Sequence, residues 1–242
     1  MPFGRMSGIK VKGGGKPEEA TRGTFWSGKA IDMDSRLRIG SAIGKSEEEI
    51  APKLMAQVKM HAPDEGPPAL SSDGKGAYPD AMLKTWGKVP EYSGRGTPPK
   101  LLKPQKDWQC LQVIKKRKGG KLESVRIKVV YGNPKQVKEK LGCHTAYIER
   151  TNLTSRTMNG RLVRKTLSFS KELRLLKAAN ALEDAIYNFT RPVKTLRVGL
   201  PNPSKQARWQ QRSPAMAADL TDHIWTVQEL LTVGLVPLCT NT

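Results

Sequence analysis

An α/β layer fold is what this chain predicts, and three features carry the expectation. Strand-like segments stand near the start and in the middle of the sequence. A helix with four-residue apolar spacing lies between them, and two further helices follow the last strands. Ahead of these, residues 1–23 are rich in glycine and lysine and are expected to form a disordered basic arm. "TFWSGKAID" and "SRLRIGSAIG" read as two strands around a turn at Met33–Asp34. In "SEEEIAPKLMAQVKM", Ser46 and Glu49 have capping-box spacing, and Ile50, Leu54 and Val58 recur at four-residue steps, so one amphipathic helix is expected. Pro52 falls in its first turns.

"ALSS" is a short strand ending in Asp73-Gly74, and the C-terminal edge of a strand is where such folds place their sites. The composition then shifts. From Arg95 to Lys140 there are 14 basic residues against only Asp107, Glu123 and Glu139. Inside this region "QCLQVI" and "SVRIKVV" flank "KKRKGGK", which reads as a hairpin with Val125, Ile127 and Val129 on one face and Arg126 and Lys128 on the other. A helix is expected around Tyr147, running to Asn159-Gly160. A second is expected from about Lys171 to Asn188, with Leu175, Ala179, Leu182 and Ile186 lining its apolar face. Pro192 stops it. The tail is Pro-rich and then suggests short helices in "SPAMAADLTDHIWTVQELL". There is no internal repeat.

The totals speak of partners rather than of fold. The 242 residues carry a formal charge of +20 and a pI near 10.0, which favours nucleic acid or another anionic surface over a neutral ligand. Cys110, Cys143 and Cys239 are odd in number and lack CxxC spacing, so neither a disulfide framework nor a zinc site is indicated and a reducing cytoplasm is expected. The longest apolar stretch, "LLTVGLVPLC", is too short to span a bilayer.

The candidate chemistry centres on Asp73 and Glu149. Both lie on different elements among small or polar neighbours, and Mg²⁺ takes one or two carboxylates together with phosphates and water. Around Glu149 stand the cations Arg150, Arg156, Arg161, Arg164 and Lys165, which could hold a nucleic-acid backbone by charge. Asn152 shares the face of Glu149 with Arg156 and could help to orient the carboxylate and hold a phosphate. Lys115, Lys116, Arg117 and Lys118 form a second basic run, either a DNA contact or a solvated hairpin tip. Taken on composition and spacing alone, a turn aspartate before glycine and a surface glutamate explain the two acids more simply. "GGGK" at Gly13–Lys16 lacks the Ser or Thr that a phosphate-binding loop needs.

"SSDGKGAY" (Ser71–Tyr78) and "HTAYIERTNLTSRTMNGRLVRKTLSFSK" (His144–Lys171) resemble segments of the catalytic domain of bacterial insertion-sequence transposases of the DDE type. "YNFTRPVKTLR" (Tyr187–Arg197) and "QRSPAMAADLTDHIWTVQELL" (Gln211–Leu231) are similar to that family's closing segments, so the resemblance covers roughly residues 18 to 231. It implies an RNase H-like mixed sheet flanked by helices over residues 24–198, with a basic hairpin insertion at about 93–140 and a tail over 199–242. It also implies DNA strand cleavage and joining at two Mg²⁺ or Mn²⁺ ions. Asp73 then corresponds to the second catalytic aspartate and Glu149 to the catalytic glutamate, both metal ligands. Transposon-end DNA is the implied partner, with a homo-oligomer as a further one and no membrane.

One departure stands out. "KPEEATRGTFW" (Lys16–Trp26) is similar to the family, but Phe3, Gly4 and Arg5 lie where the resemblance places the first catalytic aspartate. The first strand is therefore expected to be missing, as in a reading frame that begins inside the catalytic domain. Asp32, the substitute third ligand, sits in the turn between two strands, at the wrong end of the sheet. The expectation is a truncated transposase with weak or absent strand transfer. Its alternative is a non-catalytic basic DNA-binding remnant that modulates an intact transposase.

Overall fold

The computed structural model describes residues 3–12, 24–62, 66–92, 94, 97–163, 167–201 and 208–233. Its centre is a mixed sheet flanked by helices. The strands are β1 (Phe3–Lys12), β2 (Thr24–Asp32), β3 (Arg38–Gly44), β4 (Leu70–Asp73), β5 (Cys110–Lys118) and β6 (Lys121–Tyr131), in the order β3-β2-β1-β4-β5-β6. β1 runs antiparallel to β2 and parallel to β4, and β5 runs parallel to β4.

The position of β1 corrects two expectations. Residues 3–12 belong to a strand rather than to a disordered arm, and a strand thus precedes β2, lying between β2 and β4, where none was expected. Residues 1–2 and 13–23 of the expected arm lie outside the described residues. Ile9 and Val11 alternate with Lys10 and Lys12, the period of a strand, and the glycine and lysine content masks this. The glycine opposite β1 on β2 has a packing reason too. Gly8 pairs with Gly28 across the ladder, and a Cβ at Gly28 would lie 2.6 Å from Ile50 Cγ2. Bare backbone at this point lets a helix approach closely.

That helix is α1 (Glu47–His61), capped by the Ser46 side chain, which accepts from Glu49 N at 3.3 Å. The Glu49 carboxylate reaches back to Lys45 N at 2.7 Å, one residue before the cap. α1 packs with α2 (Ala77–Trp86) on one face of the sheet, where Ile50, Leu54, Met55 and Val58 join Ala30, Ala42, Leu70, Tyr78 and Met82 in a closed core.

Strand alternation turns Ser27 and Lys29 to the opposite face. There lie α4 (Ala146–Met158) and α5 (Leu173–Thr190), and farther along α3 (Pro134–Leu141), whose Val137 and Leu141 pack with Leu111 and Val113 of β5. β5 and β6 are joined by Gly119 and Gly120, both at positive φ, as a two-residue primed turn demands.

The buried face of α5 differs from the expected one. Leu176, Asn180, Glu183 and Tyr187 are buried, whereas Leu175 and Leu182 are 42% and 46% exposed. Both sets have helical spacing. The helix is turned by about one residue because cations on β2 and β3 need acidic partners beneath it. Two short helices, α6 (Pro214–Ala217) and α7 (Val227–Val233), lie against α5, and Trp225 stacks on Phe189 with ring centroids 4.6 Å apart. Among the described residues no helix is long and apolar enough to cross a membrane.

Candidate functional site

β4 is only four residues long, and its last residue, Asp73, stands at the C-terminal edge of the sheet. The chain turns at once into α2, and Asp73 Oδ1 accepts from Lys75 N at 3.4 Å within that turn. Gly74 allows the turn to lie against β5, since a Cβ there would meet Ile114 Cγ1 at 3.0 Å. From the other side α4 brings Glu149 in its first turn, where the helix dipole favours an acid. Asp73 and Glu149 line one open cleft of about 290 Å³ together with Lys75, Lys115, Thr145 and Ile148.

Glu149 is firmly engaged. Its Oε1 accepts from Thr145 Oγ1 at 2.9 Å and from the Lys115 ammonium. Partial burial raises the cost of its charge, but the bonds from Lys115 and Thr145 and the charges of Lys115 and Arg117 outweigh that cost. They hold its pKa below the ordinary glutamate value.

Register fixes what else stands near Asp73. Met6 pairs with Ser72, so Ser7 is level with Asp73, and Ser7 pairs with Lys29 on β2. The row across the sheet is thus Lys29, Ser7, Asp73, Val113, with a serine on the central strand. No residue of β1 is acidic. Asp32 is level with Phe3 instead, several positions down the sheet, and accepts from Ser35 N at 2.8 Å. It lines a different cleft, with Arg38, His61 and Asn188.

The cations that the sequence singles out divide into three groups. Arg117, Lys118 and Arg150 are exposed, as is Lys116, which pairs with Glu123 at 3.0 Å. Lys115 is turned inward to Glu149. Arg156 is half-buried, and half-buried Arg161 donates to Ser170 Oγ at 3.1 Å. Asn152, expected to face DNA, is buried on the side of α4 that packs with Ile148, Thr151 and Ser155. Arg164 and Lys165 lie outside the described residues.

A second constellation went unseen in the sequence. Lys29, with no exposed surface, bonds Glu183 Oε2 at 2.9 Å and Asn180 Oδ1 at 3.2 Å and also contacts Asp184. Arg38 bonds Asp184 Oδ1 at 2.9 Å, contacts Glu183, and stacks its guanidinium 3.8 Å from the Tyr187 ring centre. Asn188 accepts from Arg38 N at 2.9 Å and donates to Arg38 O at 3.0 Å. Two cations and two acids, nearly all desolvated, thereby tie α5 to the sheet. The available signal was parity: Lys29 falls on the same side of β2 as Phe25 and Ile31, both buried.

The donor set does not fit the pair of divalent ions that the resemblance implies. Such a centre gathers several hard oxygen ligands around two ions roughly 4 Å apart. The cleft offers two carboxylates, one of them already bonded by an ammonium group, and the level position on the central strand is Ser7. Among the described residues no group of three His, Cys, Asp or Glu residues is arranged so that it could hold a metal ion. Compared with known proteins, the chain matches no family model, and no curated protein or solved structure matches it significantly.

Proposed function

We propose that this is a transposase-type protein that acts on DNA in transposition and whose own strand cleavage and joining is weak or absent. The observation that carries the reading is the convergence of Asp73 and Glu149, distant in sequence, on one cleft at the C-terminal edge of a mixed sheet. The two acids are those that the transposase resemblance singles out. The RNase H-like identity of the sheet, and the status of the β5–β6 hairpin as a basic insertion, belong to the same proposal. Exposed Lys116, Arg117, Lys118 and Arg150, with a net charge of +20, supply a surface suited to backbone phosphates.

The test uses purified protein on end-sequence DNA with Mg²⁺ or Mn²⁺ supplied. Salt-sensitive binding with little or no strand cleavage is expected. Robust cleavage abolished by Asp73→Ala overturns the claim of weak chemistry, and no binding to DNA at low salt overturns the whole reading.

A second reading has its own support. Ser7 level with Asp73, and Lys115 on Glu149, favour a non-catalytic DNA-binding remnant that modulates an intact transposase. Adding the protein to an active transposition reaction separates the two. A remnant lowers product yield in proportion to its occupancy of the ends, and an Asp73→Ala variant lowers it equally.

A further inference from the structure

The cleft contains its own cation. β5 runs on past the end of β4: Val113 is level with Asp73, and Lys115 is the next residue on the same side of β5. Strand geometry therefore delivers the Lys115 side chain to the mouth of the cleft just beyond Asp73, where α4 presents Glu149. The ammonium sits on Glu149 Oε1, which Thr145 Oγ1 also engages, so two donors share one oxygen. The Lys115 side chain is 24% exposed and that of Glu149 is 52% exposed, so the contact sits at the open mouth of the cleft. Lys75 lines the same cleft, but its ammonium lies 3.4 Å from Glu47 Oε2, so the cation seated on Glu149 is Lys115. A site for divalent ions has the opposite character, an excess of anionic oxygen awaiting a cation.

We infer that Lys115 serves as an internal cation in the place a divalent ion would take at Glu149, and so closes the cleft to Mg²⁺ and Mn²⁺. This rests on the cleft identified above. It assigns Lys115, grouped by sequence with the DNA-facing run Lys116–Lys118, to a different task. Lys115 guards the carboxylates, and its neighbours are left to meet phosphate.

Mn²⁺ titration without DNA, followed by the electron paramagnetic resonance signal of free Mn²⁺, tests the inference on four proteins: the parent, Lys115→Met, Lys115→Gln, and Lys115→Met combined with Glu149→Gln. Thermal melts establish that each is folded, and Lys115→Gln serves if Lys115→Met is not. Removing a unit charge a few ångströms from a divalent ion is expected to tighten Mn²⁺ binding roughly tenfold or more over the parent. The Glu149→Gln combination is expected to abolish that gain. Parent protein that binds Mn²⁺ as tightly as Lys115→Met overturns the inference. Folded single variants that gain no binding overturn it equally. No DNA is present, so these outcomes stand apart from the DNA-binding test: failure to bind DNA sinks the functional reading and leaves the Mn²⁺ result intact.

Discussion

Replacing Glu183 by alanine is expected to be among the most damaging single changes in the chain. Glu183 is 4% exposed and bonds both Lys29 and Arg38, which are themselves buried. Alanine leaves two desolvated cations to share Asp184, and removing one partner of a buried ionic set costs about 3–5 kcal/mol. For a domain of this size, at roughly 2–4 °C per kcal/mol, the melting temperature is expected to fall by about 6–20 °C. Thermal melts followed by circular dichroism read this directly. The double variant Lys29→Met/Glu183→Met removes one charge of each sign and leaves Arg38 with Asp184. It is expected to melt well above the sum of the two single losses, because a balanced, apolar replacement of a buried pair is often close to neutral. Glu183→Ala melting within 2 °C of the parent, or strictly additive single losses, refutes the reasoning.

Four further outcomes follow from the same structure. Burial opposes ionisation of Glu183, but the charges of Lys29 and Arg38 outweigh it and hold its pKa below the ordinary 4.5. A group with a folded pKa lower than its unfolded one stabilises fully above the unfolded value and loses that contribution as pH falls through the folded value. Melting temperature is therefore expected to drop below about pH 4.5, and this drop is expected to shrink in the Lys29→Met/Glu183→Met variant. Gly28→Ala forces a Cβ into Ile50 Cγ2 at 2.6 Å and Leu54 Cδ1 at 2.9 Å, and denaturant unfolding is expected to show a loss of about 1–3 kcal/mol. Ser46→Ala removes the α1 cap and is expected to cost about 1 kcal/mol by the same measurement. Changing Lys116, Arg117 and Lys118 together to alanine is expected to flatten the salt dependence of DNA binding by roughly 0.9 in log–log slope per lost phosphate contact, measured by fluorescence anisotropy.

Much of the local structure was legible in the sequence. Strand-like composition marked β2, β3 and β5, alternation marked β6, capping chemistry marked the start of α1, and the run KKRKGGK marked the hairpin turn. Two acids at a strand end and a helix start could be picked out as partners only with the help of a family resemblance. Nothing in their local spacing joins them. β1 was missed because its glycines and lysines imitate a solvated arm. Their meaning depends on α1 approaching Gly28 and on the strands that pair with β1 on both sides.

What the sequence by itself determined is what short-range chemistry encodes: periods, caps, turns, the excess of positive charge and the candidate acids. The tertiary structure decided the questions that turn on which distant groups meet in a low dielectric. It chose the buried stripe of α5, because Lys29 and Arg38 must be neutralised where they are desolvated and Glu183 and Asp184 supply that charge. It turned Asn152 inward, set Ser7 level with Asp73, and separated Lys115 from the basic run it belongs to in sequence. Each of these is a long-range electrostatic or steric choice between arrangements that local pattern leaves equivalent.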